Sequence, residues 1–108
     1  MNEAQTSDDL LYALQGVSLA RNLPIPDVLA GLEVFTPLLD EIKQDKALFL
    51  LKFIPQPNDE NKPTHVASVS GGVLLDRGAT IVTGDDIMER ALARTILEYA
   101  RRCWDSEW

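Results

Sequence analysis

An amphipathic pattern near the end of the chain constrains its fold more than any other sequence feature. Apolar residues recur at spacings of four and three from Met88 to Trp104, which is the periodicity of an α-helix. At about 100° per residue, this apolar arc covers roughly half of the helix circumference, more than a surface helix needs. The run Thr83-Gly84-Asp85-Asp86 is typical of a capping box. We therefore predict a long C-terminal helix over residues 83–105, packed on a large apolar surface.

The middle of the chain supplies that surface as a sheet. The segment Leu48–Ile54 is apolar on both faces, which predicts a central strand. A second strand is predicted at Thr64–Ser70, and Gly71-Gly72 is typical of a tight hairpin turn. The chain then returns over residues 73–82, with a bend at Arg77-Gly78. These signals predict a three-stranded antiparallel β-meander.

Helical signals dominate the N-terminal part. Leu10, Leu14 and Val17 have helical spacing, which predicts a first helix over Asp8–Arg21. Proline is favoured at the first helical position, so Pro26 and Thr36-Pro37 each mark a helix start. We expect a helical hairpin or two short consecutive helices over 26–45.

Length and pattern together predict one α+β domain spanning residues 1–108. A chain of 108 residues and 12.0 kDa has the size of a single domain. Its predicted parts are an acidic helical part (1–46), a β-meander (47–82) and the C-terminal helix (83–105). Within the meander, residues 55–63 are polar and contain three prolines, which predicts a mobile loop that proteases cut first.

The residues that usually carry chemistry are scarce. His65 is the only histidine, so the sequence holds no histidine pair for a metal. Cys103 is the only cysteine, and its place on the apolar stripe favours packing over nucleophilic chemistry. The pairs Asp8-Asp9 and Asp85-Asp86 are interpreted as acids that suit helix starts. We expect no enzyme activity, no cofactor and no metal site.

Charge is distributed unevenly along the chain. The formal net charge is −7, of which residues 1–41 contribute −6, from seven acids and Arg21 as the one base. Residues 42–108 contribute −1, from ten acids and nine bases. A negative surface of this kind repels phosphate backbones and steers basic partners. The charge pattern therefore predicts a protein partner with a basic surface and no direct contact with nucleic acid.

Two parts of the chain resemble nucleic-acid-binding motifs, but their residues also argue against direct contact with nucleic acid. The segment Ser18–Leu23 followed by Pro26–Glu33 resembles a helix-turn-helix motif, but its reading helix would be Asp27–Phe35, with two acids and no base. The order helix, three strands, helix over Pro37–Trp104 is similar to double-stranded-RNA-binding domains. Such domains hold phosphates with lysines at the start of the final helix, where this chain has Thr83–Asp86. The order of helices and strands therefore fits such a domain, whereas the residues at the place of its RNA contact do not.

The leading interpretation is a small acidic, non-enzymatic, protein-binding regulator, such as an inhibitor, an antidote or a chaperone-like accessory protein. The alternative is an acidic mimic of nucleic acid that occupies the basic cleft of an enzyme, and a further alternative is an enzyme whose site is assembled across a dimer. We also predict self-association through the C-terminal helix or a sheet edge, a cytoplasmic location, and no membrane span. The candidate partner-binding residues are acids and large apolar side chains: Asp8, Asp9, Asp40, Glu41, Leu97, Trp104 and Trp108.

Overall fold

Helices at the N-terminus, a three-stranded antiparallel sheet and a C-terminal helix make up the fold, which confirms the predicted α+β class. The computed structural model describes residues 7–53, 65–72, 74 and 80–104. The elements follow one another as helix α1 (Ser7–Ala20), a short 3₁₀-helix (Glu33–Phe35), helix α2 (Thr36–Gln44), strands β1 (Leu48–Phe53), β2 (His65–Ser70) and β3 (Ile81–Asp85), and helix α3 (Met88–Cys103).

The strand order in the sheet is β1-β2-β3, with both pairs antiparallel. Leu51 of β1 pairs with Ala67 of β2, and Ala67 pairs in turn with Thr83 of β3. The central strand is therefore β2. The prediction that Leu48–Ile54 forms a central strand is wrong, because β1 lies at an edge and most of its side chains are exposed.

Two surfaces bury helix α3, which explains its wide apolar arc. One side of α3 packs against β2 and β3, and another side packs against α1. A helix between a sheet and a second helix needs apolar residues over more of its circumference than one covered on a single side. The side chains of α3 buried there are Ala91, Leu92, Ala93, Thr95, Ile96, Leu97, Tyr99 and Ala100.

The helical prediction for the N-terminal part is right at its ends and wrong in the middle. Helix α1 has nearly the predicted bounds, and Pro37 lies in the first turn of α2. The helix predicted from Pro26 does not form, since residues 26–32 are turns and irregular backbone. Gly31 has a φ of 73°, which is incompatible with an α-helix, and its N–H donates a hydrogen bond to Glu89 Oε2 at 2.8 Å.

The capping-box prediction is also wrong. Thr83, Gly84 and Asp85 belong to β3, and α3 begins at Met88, five residues after the predicted start. Asp85 nevertheless stabilises the start of α3, because its Oδ1 accepts a hydrogen bond from the N–H of Ile87 at 2.9 Å. Its Oδ2 lies 3.2 Å from Arg90 Nε and 3.4 Å from Arg94 Nη1, so the carboxylate ties β3 to the first two turns of α3.

The glycine pair after β2 is a turn, but it is not a tight hairpin. Gly71 and Gly72 have positive φ values, as predicted. The pairing of Val69 with Ile81 makes the connection from β2 to β3 run over residues 71–80. Leu74 in this connection is buried in the core and lies outside the strands. The predicted mobile loop 55–63 lies outside the described residues.

Candidate partner-binding surfaces

One carboxylate, at the end of α2, joins two aromatic side chains at the end of α3. Asp45 Oδ2 accepts a hydrogen bond from Tyr99 Oη at 2.8 Å and another from Trp104 Nε1 at 3.0 Å. The rings of Tyr99 and Trp104 meet edge to face, with centroids 5.3 Å apart. These contacts between residues more than fifty positions apart hold the C-terminal end of α3 against α2.

Arg21, just after α1, completes this corner of the molecule. Its guanidinium lies 4.1 Å from the centre of the Trp104 ring, and its Nη2 lies 2.7 Å from Glu41 Oε1. Trp104 and Glu41, two of the candidate partner-binding residues, therefore have contacts within the chain itself. The structure places both in the contact between the ends of α1, α2 and α3.

Tyr99 is fully buried in this corner, and its hydroxyl group donates a hydrogen bond to Asp45. Burial, reinforced by the hydrogen bond to Asp45 and the charge of that carboxylate, raises the pKa of Tyr99 well above its ordinary value of 10.0. The folded chain thus favours the neutral phenol. Its contribution to stability is complete below pH 10.0 and declines as the pH rises above that value.

We expect Asp45→Asn to lower the free energy of unfolding by about 1.5–3 kcal/mol, because the hydrogen bonds of Tyr99 and Trp104 lose a charged acceptor. Urea denaturation followed by tryptophan fluorescence measures the change. Asp40→Asn is the matched control, since Asp40 lies on α2, five residues before Asp45, and is exposed. Equal stability of the two variants would show that the Asp45 contacts contribute nothing.

The other candidate residues of the C-terminal part, Leu97 and Trp108, differ in position from Trp104. Leu97 was expected to contact a partner, and the structure places it in the core of the chain itself, with 0% exposure. It points into the core because α3 is covered on two sides. Cys103 packs against the core, as predicted. Trp108 lies outside the described residues.

Carboxylates of the N-terminal part reach the surface. Asp8 and Asp9 are exposed in the first turn of α1, where acids suit the helix dipole. Asp27, Glu33 and Asp40 are also exposed. Glu41 bonds Arg21 just after the end of α1, and Asp8 lies at the start of that helix. These two acids are therefore separated by about 20 Å, the length of α1. They form a distributed negative surface.

Large apolar side chains are exposed among these acids, although their residue types predict burial. Tyr12 and Leu19 share the side of α1 that carries Asp8, because their spacings of four and eleven residues bring them onto one face. Gln15 flanks that face, and its Nε2 donates to Pro26 O at 2.9 Å, which holds the following segment against α1. That segment exposes Ile25, Val28 and Leu32. Because these residues are apolar, the sequence predicts a buried helix at this position. Their exposure follows from the irregular backbone of the segment.

An open groove of about 460 Å³ lies between α3 and β3. Its charged lining consists of Arg94, Glu98 and Arg102, and each arginine has a carboxylate neighbour: Asp85 lies 3.4 Å from Arg94, and Glu98 lies 2.8 Å from Arg102. Burial raises the pKa of Glu98, but hydrogen bonds from Arg101 and Arg102 outweigh it and lower the pKa overall. The groove is an ion-paired flank of α3.

Metal-site clusters and membrane-spanning helices are both absent from the described residues. Within the ranges given above, no three histidine, cysteine or acidic side chains converge as a metal site would require. In the same ranges, no helix combines the length and the apolar character needed to cross a membrane.

No protein-family model matches the chain, and neither a curated protein nor a solved structure is significantly similar to it.

Proposed function

We propose that this chain is a small, acidic, non-enzymatic regulator that binds a protein with a basic surface. The observation that carries the proposal is the charge of residues 1–41, which we call the acidic segment. It contains seven acids and one base, and the five acids described as exposed lie on α1, on α2 and on the backbone between them. As part of the proposal, the regulator acts in the cytoplasm.

The single cation of the acidic segment is used internally, which strengthens the argument. Arg21 bonds Glu41 through both its Nε, at 3.1 Å, and its Nη2, at 2.7 Å. Its other face covers Trp104. Arg21 therefore neutralises Glu41, and the sequence of the segment contains no second base to offset the five acids that are described as exposed. A surface of one sign attracts a partner of the opposite sign and raises its association rate.

Apolar side chains on the same segment supply the short-range part of the interaction. Protein interfaces combine an apolar centre, enriched in aromatic residues, with a polar rim. Tyr12 and Leu19 lie on the exposed face of α1, and Asp8 lies on the same face. Ile25 and Val28 are exposed on the segment held against α1. This combination supports protein binding in preference to an acidic surface that only keeps the chain dissolved.

Comparative capture tests the proposal. The chain is used as bait in a lysate of its source cells, and bound proteins are measured by quantitative mass spectrometry. The test variant neutralises four of the five exposed acids, Asp8, Asp27, Glu33 and Asp40, to Asn or Gln, which changes the formal net charge from −7 to −3. Glu41 is left intact because it holds Arg21.

The matched control removes four acids from the rest of the chain: Asp59, Glu60, Asp105 and Glu107. It has the same net charge of −3, so any difference between the variants reports position and not total charge. We expect a basic protein to be retained by the parent and the control and lost by the test variant. Equal retention by both variants would refute the acidic segment as a binding surface. If the captured protein is a nucleic-acid enzyme held at its cleft, the alternative of a nucleic-acid mimic is favoured.

A further inference from the structure

Strand β1 has the sequence of a central strand and the position of an edge strand. Five of its six residues, Leu48–Phe53, are large and apolar, and Lys52 is its one charge. Leu48 is 58% exposed and Phe53 is 68% exposed, and Leu50 and Leu51 are exposed as well. Natural edge strands are usually short, charged, bulged or covered, because an open apolar edge pairs with other strands.

The exposed residues of β1 lie on both faces of the sheet. Leu48 and Leu50 pair with Ser70 and Ser68, so they belong to the face opposite α3. Leu51 pairs with Ala67, which is buried, so it belongs to the face that carries α3. Helix α3 packs on β2 and β3, and β1 lies beyond it. A new strand beside β1 would therefore cover side chains on both faces at once.

We propose that β1 pairs antiparallel with β1 of a second copy of this chain, joining two three-stranded sheets into one six-stranded sheet. The strand suits pairing with itself about a two-fold axis at Leu51. In that register Leu51 lies opposite its own copy, Phe49 lies opposite Phe53 of the second copy, and Leu50 lies opposite its Lys52. Aromatic pairs across strands stabilise a sheet, and no like charges meet.

The other edge of the sheet fits a second copy less well. The described residues of β3 include Gly84 and Asp85, and Val82, at 63% exposure, is its exposed large apolar side chain. Pairing β3 with β1 of another chain is a head-to-tail contact, which leaves one free β1 and one free β3 and builds an open filament unless the rotation closes a ring. Pairing β1 with β1 closes on itself and gives a dimer.

The test is the mass of the full chain in solution as a function of concentration, measured by light scattering or sedimentation equilibrium. We expect the average mass to rise from 12.0 kDa towards twice that value as the protein reaches several hundred micromolar. Leu51→Lys places two lysines directly opposite each other at the axis, which is unfavourable. It should weaken the dimer at least tenfold. Val82→Lys, the same change at the other edge, should leave it unaltered.

A cross-linking measurement secures the register and does not depend on the stability of Leu51→Lys. In a Cys103→Ser background, Leu51→Cys should oxidise to a covalent dimer, because directly opposite residues bring their Cβ atoms close enough for a disulfide. Val82→Cys should remain monomeric under the same oxidant. A mass of 12.0 kDa for the parent at every concentration would overturn the proposal. So would a dimer that Val82→Lys weakens and Leu51→Lys does not.

Discussion

Leu97→Glu is expected to unfold the chain. Leu97 has 0% exposure in a core to which the helices, the sheet and Leu74 all contribute. Losing the burial of a leucine side chain costs about 1.5–3 kcal/mol, and an unpaired carboxylate buried in its place adds several kcal/mol of desolvation. Together these losses are comparable to the whole stability of a domain, about 5–15 kcal/mol. Circular dichroism at 222 nm should show that the helical signal is lost.

Leu19→Glu is the matched control for this substitution. It makes the same chemical change at an exposed leucine of α1, where the new carboxylate remains in water. We expect the control to keep the parental spectrum and a free energy of unfolding within about 0.5 kcal/mol of the parent. A folded Leu97→Glu variant whose only change is its oligomeric state would contradict the burial of this residue and return the C-terminal helix to the list of interfaces.

Gly72→Ala should lower the free energy of unfolding by about 2–5 kcal/mol, the sum of a left-handed backbone cost and a packing clash. Gly72 has a φ of 55°, which disfavours a side chain. A Cβ there would lie 2.4 Å from the carbonyl oxygen of Asp45 and 2.8 Å from the backbone nitrogen of Ala47. Both atoms belong to the connection between α2 and β1, which would have to move. Urea denaturation provides the measurement.

Gly71→Ala isolates the clash from the backbone cost. Gly71 has a φ of 79°, and a Cβ there would have open space around it. We expect this control to lose about 1–2 kcal/mol, the backbone cost alone. If both alanine variants lost the same amount, the close approach of Gly72 to the connection after α2 would be refuted.

The parts of the fold that the sequence predicts are those with a long, regular pattern. Helix α3 has apolar spacing over four turns, and α1 has a clear stripe from Leu10 to Val17, so the sequence predicts both. The middle strand β2 was found from its β-branched residues. Local patterns determine these elements because neighbouring turns or alternate residues must face one core.

Features that depend on distant contacts could not be predicted. Apolar residues in β1 show that the strand suits burial, but they do not show on which side of the sheet it lies. The dipeptide Gly71-Gly72 predicts a turn, whereas the pairing of Val69 with Ile81 sets its length. The residues from Thr83 to Asp86 predict a helix start but include the end of a strand, because threonine, glycine and aspartate are favoured near a turn in both cases.

The candidate binding residues, too, could be predicted only where their position does not depend on distant contacts. Charge can be counted along the sequence, so the acidic segment was recognised, and the structure leaves most of its acids exposed. The internal role of Glu41 and Trp104 depends on Arg21 and Asp45, which are distant in sequence from Trp104. No local pattern indicates such contacts. The exposure of Tyr12 and Leu19 likewise follows from which side of α1 meets α3.

The association rate of the captured partner, measured against ionic strength, tests the proposed function most directly. The Debye length is about 8 Å at 0.15 M salt and about 3 Å at 1 M, so attraction by exposed carboxylates fades over this range. For the parent we predict an association rate that falls steeply with salt. The variant with Asp8, Asp27, Glu33 and Asp40 neutralised should associate more slowly and depend less on salt, with little change in dissociation.

The control without Asp59, Glu60, Asp105 and Glu107 should retain most of the parental rate, although its net charge equals that of the test variant. Circular dichroism must show that both variants are folded, because Asp8 also suits the start of α1. A folded test variant that binds at the parental rate at every salt concentration would contradict the proposal, and the acidic segment would then be only a solvated surface.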